Sequence, residues 1–159
     1  RATRRQVIVA VLERVMRCEP DSSSTVWYVG VPEAGAKAEV YVETPPRDGH
    51  GRAERQALDP RFDLRLHSPD GFNWGYSGSG PAQLALAICA DYYHRCGRRA
   101  KEALLVYQRF KYRKTAALSS GVPWRLSFAD VGNCVRMCED DLNVRAETVP
   151  VPDEGESES

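Results

Sequence analysis

The residues best suited to binding chemistry form a glycine- and serine-rich turn at the start of a long apolar run. Before this turn, residues 72–77 alternate aromatic with small polar side chains, as in a strand that has two different faces. Pro81 suits the first helical position, where its missing N–H would be unpaired in any case, so the sequence predicts Gly80 as the N-cap. A glycine cap provides no side-chain oxygen, which leaves the amides of Ala82 and Gln83 and the positive end of the helix dipole available to an anion. The predicted ligand-binding residues are Gly78, Ser79, Gly80 and Gln83.

Two explanations of this turn stay open. A phosphate or carboxylate group could bind the amides, with Ser77, Ser79 and Gln83 adding hydrogen bonds. Alternatively, a serine hydroxyl or the carboxylate of Asp70 caps the helix, and the turn is structural. The turn lacks the Lys-Ser/Thr ending of a P-loop and the spacing of a dinucleotide fingerprint, which favours the structural explanation.

His67 and Tyr76 are the candidates for acid–base catalysis, because a histidine titrates near neutrality and a nearby hydroxyl can orient it. Residues 67–71 are also typical of a capped turn, in which Pro69 fixes φ and Gly71 can take a positive φ. The turn is the preferred interpretation. The sequence therefore favours a protein that is not an enzyme.

A basic segment, residues 95–114, carries the best signal for nucleic-acid binding. Its only acidic residue is Glu102, and Tyr107, Phe110 and Tyr112 are interleaved with its cations. Lysine and arginine could neutralise phosphates while an exposed tyrosine stacks on a base. The alternative is a solvated helix face whose aromatic residues lie in the core. The predicted residues for binding nucleic acid or a protein partner are Arg98, Arg99, Lys101, Arg109, Lys111, Arg113 and Lys114.

The cysteines could form a zinc site, with Cys134 and Cys138 four residues apart and Cys89, His94 and Cys96 as further ligands. Their spacing fits no common zinc module, and a free cysteine on a helix is usually a small core residue. The sequence therefore predicts neither a metal nor a cofactor. The odd number of cysteines and the apolar surroundings of Cys89 predict reduced thiols and a cytoplasmic location.

Periodicity supplies the elements that would position these residues. The predicted strands are residues 25–31, 37–44, 62–66 and 71–77, with a turn at 32–35 and a loop at 45–52. The predicted helices are an amphipathic helix at 3–18, a central helix at 82–93, a more amphipathic helix at 99–111 and a last helix that a capping box at Ser127 and Asp130 begins. The elements predict an α+β fold, a small antiparallel sheet packed against a bundle of about three to four helices.

Size and charge limit the possible functions. The 159 residues suit one core domain, and the sequence predicts an N-terminal helix and linker (1–24), the α+β core (25–143) and a disordered acidic tail (144–159). Lys and Arg balance Asp and Glu at 22 each, so no net field attracts nucleic acid or an anionic membrane. No apolar run reaches the roughly 18 residues of a membrane span, and no signal peptide is evident.

The run from His67 to Ile88 resembles the domain of unknown function family 6166, small proteins of bacteria and their phages and plasmids. The same resemblance takes in Tyr28, Gly30, residues 58–61 with Asp63 and Leu64, Tyr107, Phe110, Lys111, Trp124, Leu126 and Ser127. It implies a bacterial or mobile-element setting. The family has no established activity, so the resemblance assigns no catalytic residue.

These observations lead to three functional hypotheses. The first is a non-enzymatic binding or regulatory module that engages nucleic acid or a protein partner, including as an antagonist of host defence. The second is an enzyme or a small-anion or nucleotide-binding protein that uses residues 75–83 at a helix N-terminus. The third is a structural component of a larger assembly. None of them involves a membrane.

Overall fold

The fold contains a four-stranded antiparallel sheet. In the computed structural model, which describes residues 25–32 and 37–148 (side chains to residue 143), the strands are β1 (Trp27–Val31), β2 (Glu39–Thr44), β3 (Glu54–Ala57) and β4 (Trp124–Ser127). Their order in the sheet is β3-β2-β1-β4, and each neighbouring pair is antiparallel. The predicted pairing of the first two strands is confirmed.

The fold also contains three helices within the described residues. They are α1 (Ser79–Arg95), α2 (Ala103–Phe110) and α3 (Phe128–Thr148), with a 3-10 turn at Ala100–Glu102 and a π-helical turn at Lys111–Thr115. The α+β class is therefore confirmed. Residues 80–90 of α1 are all buried, as their uninterrupted apolar character predicts for a central helix.

The core joins the sheet to α1. Alternate strand residues, among them Tyr28, Val40 and Val42, are buried against the apolar residues of α1. The hydroxyl of Tyr28 also donates a hydrogen bond to Oδ2 of Asp91, 2.8 Å away. Gly30 is needed in β1 because the indole ring of Trp124 occupies the space that a Cβ atom would take.

The strand predicted at 62–66 is wrong. These residues form turns after Arg61, which has a positive φ of 58°, and the amide of Leu64 donates to the carbonyl of Arg61 at 3.0 Å. Phe62 and Leu66 are largely exposed, so the apolar alternation does not correspond to a buried face.

The strand predicted at 71–77 is also wrong, because its pairing is limited to one bridge, between Ala38 and Phe72. The chain instead packs against the segment that follows α2. The indole N–H of Trp74 donates to the carbonyl of Val122 at 3.1 Å, and the amide of Gly75 donates to the carbonyl of Thr115 at 3.0 Å.

The capping box at the beginning of α3 is confirmed. The amide of Ser127 donates to Oδ2 of Asp130 at 3.1 Å, and the amide of Asp130 donates to the Ser127 hydroxyl at 3.0 Å. The helix continues to Thr148, past the tail boundary predicted at residue 143. The predicted N-terminal helix, the linker and the rest of the acidic tail lie outside the described residues.

Candidate functional site

The first turn of α1 begins earlier than the sequence predicts. Gly78, not Gly80, is the N-cap, and its carbonyl accepts the first helical hydrogen bond from the amide of Ala82 at 3.1 Å. The prediction that the amides of Ala82 and Gln83 are free is therefore wrong. The amides that point out of the helix are those of Ser79 and Gly80, because Pro81 has none.

No side chain caps this helix, which excludes the capping alternatives offered by Ser77, Ser79 and Asp70. In the described part of the chain, no acceptor takes the amide hydrogens of Ser79 and Gly80. Gly80 is buried, and a buried unpaired amide is uncommon in a folded protein. The first turn thus has hydrogen-bonding capacity and a positive dipole end without an internal acceptor.

Tyr76 explains the two glycines in this turn. A Cβ atom on Gly78 would lie 2.5 Å from the Tyr76 ring, and one on Gly80 would lie 2.7 Å from Cβ of Asn73 and 2.9 Å from the Tyr76 hydroxyl. Both positions are therefore glycine for packing. The Tyr76 ring covers the turn from one side and is 45% exposed.

Gln83, which the sequence predicts as a ligand-binding residue, is committed to the fold. Its side chain is 0% exposed. The Oε1 atom accepts from the amides of His67 (2.7 Å) and Ser68 (3.1 Å), and Nε2 donates to the carbonyls of Pro60 (2.6 Å) and Arg65 (3.1 Å). These four bonds use the donors and acceptors of a glutamine amide, so the side chain has none left for a ligand.

His67 is held next to α2. Its Nε2 atom lies 2.8 Å from the hydroxyl of Tyr107, which also accepts a hydrogen bond from Arg65 Nη1 at 3.3 Å. His67 is thus bonded to Tyr107 and not to Tyr76, the other catalytic candidate. Burial, and then the charges of Arg65 and Lys111, lower the pKa of His67 below its ordinary value.

Lys111, which the sequence predicts among the cations that bind nucleic acid or a partner, is buried. It is only 8% exposed, and its Nζ atom lies 4.4 Å from the centre of the Tyr112 ring. Among the ion pairs of the described residues, none includes Lys111. A buried cation normally has an anionic partner, because the loss of hydration is otherwise uncompensated.

The π-helical turn, which begins with Lys111, is bonded to the beginning of α1 through Thr115. Its defining bond runs from the amide of Ala116 to the carbonyl of Lys111 at 2.8 Å. The hydroxyl of Thr115 then donates to the carbonyl of Pro81 at 2.8 Å. A hydrogen bond between Ser77 and Tyr112, followed by the charge of Lys111, lowers the pKa of Tyr112. We name this convergence the Lys111 site, which consists of His67, Ser77, Ser79, Gly80, Lys111 and Tyr112.

The rest of the basic segment does not form one free cationic surface. The Arg98 guanidinium bonds to Glu102 and Glu139 at 3.0 and 2.9 Å and lies over the ring of Tyr93, so Arg98 is structural. Arg113 pairs with Asp141 at 2.7 Å. The other predicted partner-binding cations divide into exposed Arg99 and Lys101 and half-buried Arg109 and Lys114.

The aromatic residues of the basic segment divide in the same way. Tyr107 and Phe110 are buried, as in the alternative of a helix face with its aromatic residues in the core. Tyr112 is 64% exposed and can contact a ligand.

The cysteines are in two oxidation states. Cys89, Cys134 and Cys138 are free and buried, which confirms the reduced thiol predicted at Cys89, whereas Cys96 is disulfide-bonded. Within the described residues, no cluster of three or more His, Cys, Asp or Glu side chains could hold a metal ion. Over the same residues, no helix has the length and apolar character needed to span a bilayer.

Comparison with known proteins places the chain in a family without a defined activity. Neither the curated proteins nor the solved structures include a match to the chain. The sequence model of a family of unknown function (DUF6166) matches residues 41–137, a span that holds α1, α2, the π-helical turn and every residue of the Lys111 site. The chain therefore belongs to the DUF6166 family.

Proposed function

We propose that this domain is a binding module for a small phosphate-bearing ligand of the nucleotide class, held at the Lys111 site. The observation that carries the proposal is the burial of Lys111 to 8% exposure without a carboxylate partner in the described residues. The proposal develops the small-anion hypothesis from the sequence and adds a cation, Lys111, from outside the glycine turn.

The charge of Lys111 supports an anionic ligand. Lys111 is only 8% exposed, and the Tyr112 ring compensates the reduced hydration of its ammonium group only in part. The neighbouring His67 cannot supply a negative charge, and the charge of Lys111 itself lowers the pKa of His67. An incoming phosphate would provide the missing counter-charge.

The first turn of α1 supports a phosphate in particular. The amides of Ser79 and Gly80 and the helix dipole favour an anion with several acceptor oxygens. A tetrahedral phosphate can accept from both amides while another oxygen faces the ammonium group of Lys111.

Two exposed tyrosines support a nucleotide over a bare anion. Tyr76 and Tyr112 are 45% and 64% exposed and belong to the two segments that meet at the beginning of α1. Every nucleobase has a π-face that can stack on such a ring. The ligand would therefore place its phosphate at Lys111 and its base against one of these rings.

The hypothesis of nucleic-acid or protein binding through the basic segment has less support. Binding along a nucleic acid needs several unpaired cations on one surface. Arg98 and Arg113 are engaged in ion pairs, and Lys111 is buried. We keep from that hypothesis a module that binds without catalysis, and we replace nucleic acid or a protein partner by a small molecule as the ligand.

The cellular setting is also part of the proposal. We place the protein in the cytoplasm of a bacterium or in a phage-infected or plasmid-bearing cell, as the family resemblance implies. The free thiols of Cys89, Cys134 and Cys138 support a reducing compartment. The disulfide at Cys96 is the observation against it.

Thermal unfolding with added ligand tests the proposed function. We expect ATP and AMP to raise the Tm of the wild-type chain more than inorganic phosphate does, since a ligand at 100 times its Kd contributes about 2.7 kcal/mol. Lys111→Met should abolish these shifts. The matched control is Lys101→Met, which replaces an exposed lysine and should leave them unchanged.

Two results would contradict the proposal. One is equal nucleotide-induced shifts in the wild type and in Lys111→Met. The other is no shift in the wild type with any of the three probes at millimolar concentration.

A further inference from the structure

A cavity lies between the π-helical turn and α3, and no residue of the Lys111 site lines it. Its volume is about 460 Å³, and Arg113 and Lys114 line it from the turn. From α3 it is lined by Asp130, Asn133, Cys134 and Met137. This volume is within the range of small-molecule pockets, roughly 300–1,000 Å³.

Cys134 contributes a thiol to the wall of this cavity. Cys138 follows one helical turn later and is fully buried. Hydrogen bonding with Cys138, followed by the charges of Lys114 and Arg113, lowers the pKa of Cys134 against the opposing effect of burial. The pKa of Cys138 is raised by the same hydrogen bond and by burial, so Cys138 stays a thiol.

The charged groups around Cys134 come from two elements. Arg113 and Lys114 face it from the π-helical turn. On α3, the carboxylate of Asp130 accepts the amide of Ser127 and is committed to the capping box. Arg113 is shared with Asp141, whereas Lys114 has no ion pair with the described residues. The cavity thus combines the thiol of Cys134, which is 3% exposed, with a lysine that forms no ion pair in the described residues and whose charge also acts on Asp130.

We propose that Cys134 is a site of reversible S-thiolation, and that the modifying group is a low-molecular-weight disulfide that carries carboxylates, of the glutathione disulfide class. The cavity would accommodate the transferred half of the reagent. Lys114, with Arg113, would bind its carboxylates. This site does not depend on the ligand proposed for the Lys111 site.

The reaction is a thiol–disulfide exchange. The Cys134 thiolate attacks one sulfur of the small disulfide and forms a new S–S bond to it. The original S–S bond breaks, its electron pair leaves with the second sulfur, and that thiolate takes a proton from water. A small thiol reverses the reaction by attacking the mixed disulfide. No further oxidant or reductant is needed.

Intact-mass measurement with peptide mapping tests this proposal on the full-length native chain. Oxidised glutathione should add one glutathionyl group, and mapping should place it on Cys134. Cystamine, a disulfide of similar chemistry with amines in place of carboxylates, should react several-fold more slowly at Cys134. Lys114→Met should remove most of this difference between the two reagents.

Cysteine variants provide the controls. Cys134→Ser should lose the adduct, whereas Cys89→Ser, which removes another buried thiol, should keep it. The proposal is overturned if oxidised glutathione modifies Cys134 only after unfolding in urea. It is also overturned if cystamine and oxidised glutathione label the native protein at Cys134 equally fast, because the cations of the cavity would then have no role.

Discussion

Two buried polar side chains, Gln83 and Lys111, both interact with His67 but differ in how many hydrogen-bond or ion-pair partners they have. Gln83 is fully buried and makes four hydrogen bonds to the backbone of residues 60–68. Lys111 is nearly as buried, yet among the described residues its ammonium group lies over the Tyr112 ring and forms no ion pair, and its charge lowers the pKa of His67.

The difference separates a structural role from a binding role. A fully hydrogen-bonded buried amide holds its surroundings in one conformation and has no capacity left for another molecule. A buried cation without a counter-ion lowers stability and gains most when an anion arrives. Substitutions at the two residues should therefore change stability in opposite directions.

The largest effect is expected from Gln83→Leu. The substitution leaves the amides of His67 and Ser68 and the carbonyls of Pro60 and Arg65 without partners, so we expect the free energy of unfolding to fall by about 3–5 kcal/mol. Urea denaturation measures this loss. Gln108→Leu, at an exposed position of α2, is the matched control and should change stability little. Equal effects of the two substitutions would remove the distinction between Gln83 and a surface glutamine.

Thr115→Val should have the second largest effect. It removes the hydroxyl that donates to the carbonyl of Pro81 and keeps nearly the same shape, at a position that is 0% exposed. We expect a loss of about 1–2 kcal/mol in the free energy of unfolding, measured in urea. Because this bond ties the π-helical turn to α1, nucleotide-induced Tm shifts should shrink as well. If the Thr115→Val variant is destabilised but keeps the full nucleotide-induced Tm shift, the bond between Thr115 and Pro81 does not position the Lys111 site.

Lys111→Met should act in the opposite direction. Without ligand, we expect the free energy of unfolding to rise by about 1 kcal/mol, because the substitution removes a buried charge and keeps an unbranched apolar chain. Urea denaturation of the ligand-free protein checks the sign. A clear loss of stability would mean that the ammonium group is well satisfied in the fold, and the comparison with Gln83 would fail.

The smallest effect concerns the pH dependence that His67 contributes. Its folded-state pKa is lowered by burial and then by Arg65 and Lys111, so the folded protein binds fewer protons than the unfolded chain. Stability should therefore fall as the pH drops through the unfolded value of about 6.5 towards the folded pKa. His67→Gln should make the free energy of unfolding less dependent on pH between roughly pH 7.5 and pH 5, the range in which a histidine titrates.

Two variants sharpen this last measurement. His94→Gln, at an exposed position, should leave the slope unchanged. Lys111→Met should reduce the slope, because the charge that lowers the His67 pKa is removed. A slope that is the same in His67→Gln and in the wild type would assign the pH dependence to other groups.

Local patterns predicted the parts of the fold whose stabilising contacts are also local or strongly periodic. The uninterrupted apolar run of α1 and the capping box of α3 are examples, since each depends on neighbours within a few residues. β3 was missed because its four residues, Glu54–Ala57, include no large apolar side chain. It is held by main-chain pairing to β2 and by the ion pair of Arg55 with Glu43.

The two wrong strands have a different cause. Residues 62–66 have the alternation of a strand. Their backbone is nevertheless bonded to Gln83, a residue distant in sequence, through the carbonyl of Arg65. Gln83 also accepts from the amides of His67 and Ser68, which follow this stretch. A strand there would lose these bonds. Nothing in the local pattern indicates them.

The candidate site was predicted in part. The sequence located the turn at residues 78–80, but it counted Lys111 among exposed cations and Gln83 among ligand-binding residues. Lys111 lies one helical turn after the buried Tyr107, so the periodicity of α2 places it on the buried face next to Phe110. The prediction extended this stripe only to Phe110 and grouped Lys111 with the other cations by charge.

The π-helical turn also constrains the length of the chain. It holds one residue more than an α-helical turn. Deleting a single residue from Lys111–Thr115 would therefore restore the α-helical hydrogen-bond pattern. The side chains on either side of the deletion would then be rotated by about 100° relative to one another. Thr115 and Lys111 could then no longer both face the beginning of α1. Relatives that share this site should therefore preserve the number of residues between these two positions even where the intervening residue types differ.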